Sequence, residues 1–195
     1  MTANELNSIY WDKRYQEGTT GWDLGAANPV LFDYVINNCA RDMRILVPGA
    51  GKAHEVAALW KAGYTNVYAA DIAPSAKEEF LKFIPDFPAE NYLITDFFEL
   101  SESFDLILEQ TFFCAIDPTL RERYVNQVHH LLSTTGELYG LMFNMHKPDG
   151  PPFGGSVAEY KALFKEKFEI KEMAPTDKSV KPRLGNEIII HLVKK

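Results

Sequence analysis

The chain has 195 residues, of which 46% are hydrophobic and 24% charged, and its formal net charge is −7. This length and composition are ordinary for one globular domain, and they exclude a largely disordered chain. Lysine and arginine form no continuous stripe, so the acidic balance disfavours a nucleic-acid partner. The first 20 residues lack the apolar core of a signal peptide, and no run approaches the roughly 18 apolar residues of a membrane span. We therefore expect a cytoplasmic protein without a membrane partner, and a monomer by default.

The N-terminal segment, residues 1–30, is polar but rich in aromatic side chains, including Trp11 and Trp22. Disordered tails seldom carry two tryptophans. We therefore expect this segment to fold as an arm onto a single domain that spans residues 1–195.

From residue 43 onward, short apolar runs alternate with segments of helical periodicity. The predicted strands are 43–47, 66–70, 92–95, 104–109, 137–143, 169–173 and 187–193, and the predicted helices are 54–62, 75–83, 119–132 and 157–164. Strands separated by helices favour a parallel sheet with right-handed crossovers. No helix separates the last two strands, so we expect them to pair antiparallel. The sequence thus predicts an α/β fold with a mostly parallel seven-stranded sheet, an antiparallel last strand and helices on both faces.

A glycine turn, Gly49-Ala50-Gly51, joins the first predicted strand to the helix that follows it. Glycine lets the backbone turn tightly and approach a ligand without interference from a side chain. In open α/β sheets, ligands bind at the carboxyl ends of the strands, near the point where the strand order reverses. The turn therefore predicts a ligand site, although a plain strand–helix connection has the same pattern.

Asp71 ends the second predicted strand, 20 residues after Gly51. A carboxylate at this place can accept hydrogen bonds from both hydroxyls of a ribose, and the alternative is an N-cap for the next helix. Together, the turn and the carboxylate favour a ligand that contains adenosine. A dinucleotide fingerprint would need glycine where this chain has His54, so the pattern favours S-adenosylmethionine over NAD.

Two further strand ends carry residues suited to this ligand and to a reaction partner. Asp96 and Phe97 follow the third strand, where an acid can bond the adenine amino group and a ring can cover its face. A turn aspartate beside core phenylalanines is the alternative. Residues 109–114 follow the fourth strand, where a methyl donor and its acceptor would meet, and a buried apolar loop is the alternative there.

Other reactive side chains do not form a second pattern. The two cysteines, Cys39 and Cys114, make neither a disulfide framework nor a metal cluster. Cys114 lies among apolar residues without an evident base, which is typical of a small buried side chain. The adjacent His129 and His130 point to different faces of one predicted helix, which is poor geometry for a metal. We therefore expect no metal site.

Five segments resemble the thiopurine S-methyltransferase family, and within it the branch of halide and thiol methyltransferases. These segments are YWDKRYQEGTTGWDLGAANPVL, LVPGAGKAHEVAAL, TDFFEL, EQTFFCAIDPTLRERYV and GPPFGGSVAEY. The resemblance runs from about Tyr10 to Lys195, nearly the whole chain. It implies a Rossmann-like class I methyltransferase that uses S-adenosylmethionine, leaves S-adenosylhomocysteine, and methylates a small soft nucleophile. Such nucleophiles are thiols, thiopurines, bisulfide, thiocyanate and halides.

The resemblance also implies which residues bind the cofactor. They are Trp11, Trp22, Gly49, Ala50, Gly51, Asp71, Asp96, Phe97 and Gln110. In this assignment the glycine turn flanks the methionine part, Asp71 holds the ribose, and Asp96 with Phe97 contacts adenine. The two tryptophans close the arm over the site as a lid. Gln110 borders the point of methyl transfer, together with the two residues that follow it.

Arg121 and Arg183 are the residues that the resemblance places near the substrate, although Lys181 is an alternative to Arg183. We hypothesise that both arginines attract an anionic acceptor and favour its ionised form; exposed surface charges are the alternative. Two positions depart from the wider methyltransferase pattern. Val47 stands where an acid often opens the glycine motif, and Ala53 stands where a third glycine is common.

The chemistry needs alignment and exclusion of water more than it needs a strong base, because the methyl donor is already activated. A thiol has a reference pKa of about 8.5 and is partly ionised near neutral pH. No side chain stands out as a general base in the sequence. The alternatives are an NAD-dependent oxidoreductase, a non-catalytic nucleoside-binding protein, and an O- or N-methyltransferase of small metabolites. A carboxylate or histidine in the acceptor pocket would favour the last, since such acceptors usually need deprotonation.

Overall fold

The computed structural model describes Thr2 and residues 5–195, so residues 1, 3 and 4 of the predicted arm lie outside the described residues. The strands are β1 Ile45–Pro48, β2 Val67–Asp71, β3 Tyr92–Ile94, β4 Phe104–Gln110, β5 Leu132–Phe143, β6 Phe168–Pro175 and β7 Glu187–Lys194. The α-helices are α1 Ser8–Gln16, α2 Pro29–Asn38, α3 His54–Lys61, α4 Pro74–Phe83, α5 Arg121–Leu131 and α6 Val157–Phe164.

The seven strands form one sheet in the order β3-β2-β1-β4-β5-β7-β6. The first five strands pair in parallel, and β7 lies antiparallel between β5 and β6. This arrangement confirms the predicted α/β fold with an antiparallel last strand. The strand order reverses between β1 and β4, and the connections at their carboxyl ends diverge there. A crevice at this point is where α/β folds bind ligands.

Two apolar cores cover the two faces of the sheet. Successive side chains of a strand point to opposite faces, so Leu46 joins one core while Ile45 and Val47 join the other. The first core includes Phe164 of α6, and the second includes Val35 of α2. Helices therefore lie on both faces, as predicted, and hold the carboxyl ends of the strands in fixed positions.

The N-terminal region contains two helices that the sequence pattern did not indicate. Both start at asparagine N-caps: the side chain of Asn7 accepts a hydrogen bond from the Tyr10 amide, and that of Asn28 from the Val30 amide. Pro29 occupies the first turn of α2, where a missing N–H costs nothing. Because α1 is polar and short, it lacks the apolar periodicity on which the prediction relied.

The helices are short compared with the length needed to span a bilayer. The longest, α5, has 11 residues, whereas a membrane-spanning helix needs about 20. Within Thr2 and residues 5–195, no helix is both long and apolar enough to cross a membrane.

Candidate active site

A cleft of about 510 Å³, including its open mouth, lies at the carboxyl ends of β1 and β4. Its lining residues are Tyr15, Trp22, Asp23, Leu24, Ala26, Val47, Gly49, Ala50, Gly51, Lys52, His54, Glu55, Gln110, Thr111 and Arg183. Six of the predicted site residues lie here: Trp22, the three residues of the glycine turn, Gln110 and Arg183. The cleft therefore brings together the start of the chain, the turn after β1, the end of β4 and the segment before β7.

The glycine turn requires its glycines for both conformation and space. Gly49 and Gly51 have φ angles of 57° and 53°, in the left-handed region that other residues rarely adopt. A Cβ at Gly49 would collide with the ring of Phe112, and one at Gly51 would collide with the hydroxyl of Tyr15. The absence of side chains leaves bare backbone facing the cleft, which suits close approach of a ligand.

Asp71 ends β2 beside this turn and is 8% exposed. Its Oδ2 accepts a hydrogen bond from the Gly51 amide at 2.8 Å, and its Oδ1 accepts one from the Ala73 amide at 2.9 Å. Burial raises the pKa of Asp71, although these amide hydrogen bonds oppose the shift. The N-cap of α4 is Ala73, so Asp71 does not occupy the N-cap position considered from the sequence. Its carboxylate fixes the turn, and its contact with a ribose stays a prediction.

Three other predicted cofactor residues lie outside the lining of the cleft. Asp96 is exposed and accepts a hydrogen bond from the amide two residues on. Phe97 is buried, with its ring centroid 5.1 Å from that of Phe112. Trp11 packs edge-to-face against Trp22, with ring centroids 5.4 Å apart. Trp11 therefore supports a side chain of the cleft, and the cofactor contacts of all three residues stay predictions.

The N-terminal arm is attached to the cleft by polar contacts at two points. The backbone oxygen of Trp22 accepts a hydrogen bond from Arg183 Nη2 at 2.7 Å. The Asp23 carboxylate accepts one from His54 Nε2 at 2.8 Å, and Lys52 Nζ lies 3.3 Å from it. Burial alone would raise the pKa of Asp23, but hydrogen bonds from the amide two residues on and from His54 lower it. The arm is thus held across the glycine turn on one side and against the segment before β7 on the other.

Gln110 ends β4 and connects the polar groups of the cleft. With its amide oriented to satisfy its neighbours, it donates to Glu55 Oε1 and accepts from Arg183 Nη1 and Asn28 Nδ2, each at 3.0 Å. Arg183 is buried, and its Nη1 also lies 3.5 Å from Glu187 Oε1. Its guanidinium, predicted to lie near the substrate, is therefore already surrounded by protein acceptors.

A second, smaller cavity of about 220 Å³, including its open mouth, lies beside the cleft where β4, β5 and β7 meet. Its lining residues are Glu109, Thr111, Phe113, Cys114, Leu141, Met142, Phe143 and Glu187. Thr111 lines both cavities, and its φ of 60° is unusual for a β-branched residue. The two cavities thus meet at the loop where a methyl donor and its acceptor were expected to meet.

Glu109 holds this loop in place through hydrogen bonds. Its Oε1 accepts hydrogen bonds from the amides of Phe112 and Phe113, both at 2.9 Å, and its Oε2 accepts one from the Tyr124 hydroxyl at 2.6 Å. Burial raises the pKa of Glu109 to about 7, although these hydrogen bonds oppose the shift. Its carboxylate has a structural partner at each oxygen.

Arg121 does not line either cavity. It is buried and forms an ion pair with Glu159, and its Nη2 donates to the backbone oxygen of Gly154 at 2.7 Å. Its guanidinium carbon lies 4.9 Å from the ring centroid of Phe113, which does line the smaller cavity. Arg121 thus supports the cavity wall through Phe113, and its contact with a substrate stays a prediction.

Sequence reasoning did not identify the half-buried Glu55, the buried Glu187 or Tyr15 as site residues. The signal for Glu187 is a single acid that opens an otherwise apolar strand, but an acid at the start of a strand is often at the surface. Tyr15 lies on a polar helix without apolar periodicity, so only the fold brings it to the glycine turn. Within the described part of the chain, no group of His, Cys, Asp and Glu side chains could hold a metal ion.

Comparisons with known proteins agree with the family resemblance found in the sequence. The family model described as thiopurine S-methyltransferase matches residues 6–191. The chain is 37% identical over 191 residues to probable thiol methyltransferase 2 of Arabidopsis thaliana, with 94% of this chain and 84% of that protein covered. It is 33% identical over 184 residues to thiocyanate methyltransferase 1 of Brassica oleracea, with 91% of this chain and 81% of that protein covered.

Among solved structures, the 1,6-didemethyltoxoflavin-N1-methyltransferase of Burkholderia thailandensis has a TM-score of 0.78 at 18% identity. The match covers 100% of this chain and 91% of that one, and it shows a shared class I methyltransferase fold. The family model covers nearly all of the chain, and the relatives in Arabidopsis and Brassica exceed 30% identity over most of it. The chain therefore belongs to the thiopurine S-methyltransferase family, as its sequence motifs predicted.

Proposed function

We propose that this chain transfers the methyl group of S-adenosylmethionine to a small soft nucleophile and releases S-adenosylhomocysteine. The observation that carries the proposal is the junction of a larger cleft and a smaller cavity at Thr111, in a chain of this family. Relatives named as thiol, thiocyanate and thiopurine methyltransferases support thiols, thiocyanate and thiopurines as acceptors. Bisulfide and halides belong to the same chemical class.

The larger cleft fits S-adenosylmethionine. The backbone of the glycine turn lines the cleft, and the Asp71 carboxylate lies at the end of the neighbouring strand. We assign the turn to the methionine part, Asp71 to the ribose, and Asp96 with Phe97 to adenine. When bound, the cofactor supplies a methyl group that its sulfonium has already activated. The chain must therefore bind, align and exclude water rather than activate the donor.

Alignment and exclusion of water are the tasks we assign to the arm, residues 1–30. Trp22 lies in the cleft, Trp11 supports it, and Asp23 fastens the segment to the glycine turn through His54 and Lys52. A lid of this kind converts two reactants into an aligned pair, and alignment can lower a barrier by ~7–11 kcal/mol. The arm thus supports the lid role that the sequence motifs predicted.

A second candidate function is methyl transfer to an oxygen or nitrogen of a small metabolite. The observation that favours it is a pair of buried carboxylates, Glu109 and Glu187, in the wall of the smaller cavity. Acceptors of this kind usually need to lose a proton. A non-catalytic nucleoside-binding protein would need no such cavity beside its cleft, and family membership does not fit an NAD-dependent oxidoreductase.

The test is formation of S-adenosylhomocysteine with a thiopurine, an aromatic thiol, bisulfide, thiocyanate, iodide and catechol. Turnover with sulfur nucleophiles or iodide supports the proposal, provided that Asp71→Ala abolishes it. Cofactor binding without turnover of any acceptor, or turnover of catechol alone, contradicts it.

We further propose that the enzyme is a cytoplasmic monomer without a nucleic-acid partner. The net charge of −7 supports the last point, because nucleic acids bind to basic surfaces. Light scattering of the purified protein tests the monomer, and a dimer mass would contradict it. Fractionation of cells that express the full chain tests the location.

A further inference from the structure

Glu187 has a buried carboxylate oxygen without a partner. The residue opens β7, lines the smaller cavity and is 2% exposed. Its Oε1 lies 3.5 Å from Arg183 Nη1, whereas no hydrogen bond of ordinary geometry reaches its buried Oε2, although the Ser179 hydroxyl is a neighbour. Leaving a buried carboxylate oxygen unbonded is costly, so such an oxygen invites a donor from a ligand.

The other acid of the cavity wall does not share this property. Each oxygen of Glu109 already accepts hydrogen bonds from the loop after β4 or from Tyr124. The thiol of Cys114 is also occupied, since it donates to the backbone oxygen of Thr111 at 3.3 Å. Among the ionisable groups that line this cavity, Glu187 is thus the one with a carboxylate oxygen that makes no hydrogen bond, and the buried Ser179 hydroxyl, which is also unbonded, is its neighbour.

We propose that Glu187 is the general base that takes a proton from a neutral acceptor, and that the enzyme therefore prefers small thiols to halide or thiocyanate. This inference rests on the proposed methyl transfer. The thiol proton moves to Glu187 Oε2, and the sulfur forms a bond to the methyl carbon as the bond from that carbon to the sulfonium breaks. The products are a methyl thioether, S-adenosylhomocysteine and a protonated Glu187, which later returns its proton to water.

Charge balance in the cavity supports a neutral acceptor. Arg183 and Glu187 form an ion pair that together carries no net charge, so the counter-charge for an incoming iodide or thiocyanate would have to come from the sulfonium of the donor alone. A thiol enters uncharged. When its proton passes to Glu187, the negative charge moves to sulfur and Arg183 remains as the counter-ion. The same arginine thus stabilises the thiolate only after Glu187 is neutralised.

The surroundings of Glu187 also tune it as a base for a thiol. Burial raises its pKa, opposed by the Ser179 hydroxyl and by Arg183. The other titratable groups that share the cavity are Cys114 and Glu109, on and before the loop after β4. A raised pKa brings the carboxylate closer to the thiol reference value of about 8.5, which favours proton transfer.

The test compares Glu187→Gln with the wild-type enzyme, using ethanethiol and iodide as acceptors at about pH 6.5, where the free thiol is almost fully protonated. We expect kcat/KM for ethanethiol to fall by roughly 10²-fold or more, because a general base contributes about that much. Turnover of iodide is expected to be retained or increased. An equal loss with both acceptors, or no loss with the thiol, would overturn the proposal.

Two controls separate this inference from the proposed function. Glu109→Gln removes the other carboxylate of the cavity, and we expect it to leave the ratio of thiol to iodide turnover unchanged. A wild-type enzyme that methylates no sulfur nucleophile and no iodide would refute the proposed function itself. Wild-type turnover of the thiol combined with an unchanged acceptor ratio in Glu187→Gln would refute only the role of Glu187.

The wild-type pH profile gives an independent readout if Glu187→Gln fails to fold. With Glu187 as the base, kcat/KM for ethanethiol reaches a plateau well below the pKa of the free thiol, and that for iodide does not rise with pH. If kcat/KM for the thiol instead follows the fraction of thiolate in solution, the proposal is wrong.

Discussion

Asp71 is the residue on which cofactor binding should depend most strongly. Asp71→Asn keeps the shape of the side chain but leaves one acceptor oxygen where the carboxylate has two, and the amides of Gly51 and Ala73 already bond one carboxylate oxygen each. Hydrogen bonds to a charged group contribute about 1.5–3 kcal/mol, and 1.4 kcal/mol is tenfold in affinity. We therefore expect roughly 10- to 100-fold weaker binding of S-adenosylhomocysteine by titration calorimetry.

The matched control for this change is Asp42→Asn. Asp42 is exposed and precedes β1, at the end of the sheet opposite the cleft. The Asp42→Asn variant should bind S-adenosylhomocysteine with the affinity of the wild type. Unchanged affinity in Asp71→Asn would contradict the assignment of the ribose to Asp71.

Glu109 should make the stability of the protein depend on pH. Its pKa is about 7 in the folded chain and 4.5 ordinarily, so its contribution to folding is fully present below pH 4.5 and is lost as the pH rises through 7. The size of this loss is on the order of 2–3 kcal/mol. Glu109→Gln can accept the Phe112 and Phe113 amides with its oxygen and donate to Tyr124, and it does not titrate.

The measurement is the free energy of unfolding by urea between pH 5 and pH 7.5, taken as the difference between the two proteins. We expect the wild type to lose stability relative to Glu109→Gln across this range. A constant difference would show that Glu109 is not buried as a protonated acid near neutral pH.

The sequence could predict those site residues that belong to one continuous sequence motif. Gly49, Gly51 and Asp71 are defined by a strand–turn–helix pattern that is continuous in sequence, and the structure places all three at one strand edge. Glu187 becomes a site residue only because β7 inserts between β5 and β6. Arg121 was expected near the substrate from its neighbours in sequence, but its side chain turns to Glu159 behind the cavity wall.

At the scale of elements, the N-terminal arm depends on contacts that reach across the cleft. Helix α1 also caps α4, because Asp12 Oδ1 accepts a hydrogen bond from the Ser75 amide at 2.8 Å where α4 has no side-chain cap of its own. Asp23 then fastens the chain after α1 to the turn through Lys52 and His54. The arm is therefore a folded part of the site.

We expect Asp23→Asn to weaken this attachment without unfolding the protein. A partly buried ion pair of this kind contributes about 1 kcal/mol, so the dissociation rate of S-adenosylhomocysteine should rise roughly 3- to 10-fold. Stopped-flow tryptophan fluorescence measures the rate. Glu17→Gln, which removes an exposed ion pair with Lys13 on the same arm, should leave it unchanged. Equal rates in the wild type and Asp23→Asn would contradict the lid role of the arm.

Periodicity predicted the elements of the sheet better than those of the arm. The buried strands and their crossover helices repeat apolar residues with clear spacing, and each has its counterpart in the structure. Strand β5 starts at Leu132, earlier than the predicted start at residue 137, because the polar run 133–136 contains β-branched threonines that extend the strand. Helices α1 and α2 were not predicted, because asparagine caps and tertiary contacts stabilise them, whereas the prediction relied on apolar periodicity.

At the scale of the molecule, the antiparallel strand β7 connects β5 to β6 in the C-terminal half of the sheet. Ile190 is fully buried and pairs with Gly140 of β5 and Met173 of β6. We expect Ile190→Ala to lower the free energy of unfolding by about 2–5 kcal/mol in urea titrations, because it leaves a cavity in a packed core. Glu172→Ala, at an exposed position of β6, should change it by no more than about 0.5 kcal/mol. Similar effects of the two changes would contradict this view of the core.

The order of the strands also explains why the site lies where it does. Reversal between β1 and β4 opens the larger cleft, and insertion of β7 beside β5 brings Glu187 to the smaller cavity and Arg183 to the larger cleft. In the proposed reaction, donor and acceptor meet at Thr111. The whole sheet, rather than one motif, therefore positions the reaction.

In the proposed reaction, the methyl group of S-adenosylmethionine passes to a sulfur acceptor across this junction. Carbon NMR of the products tests this step when S-adenosylmethionine labelled with ¹³C at the methyl group is incubated with the enzyme and a small thiol. We expect the wild-type enzyme to place the label on sulfur as a methyl thioether, and we expect Asp71→Ala not to do so. Tight binding of the labelled cofactor with no label on sulfur would contradict it.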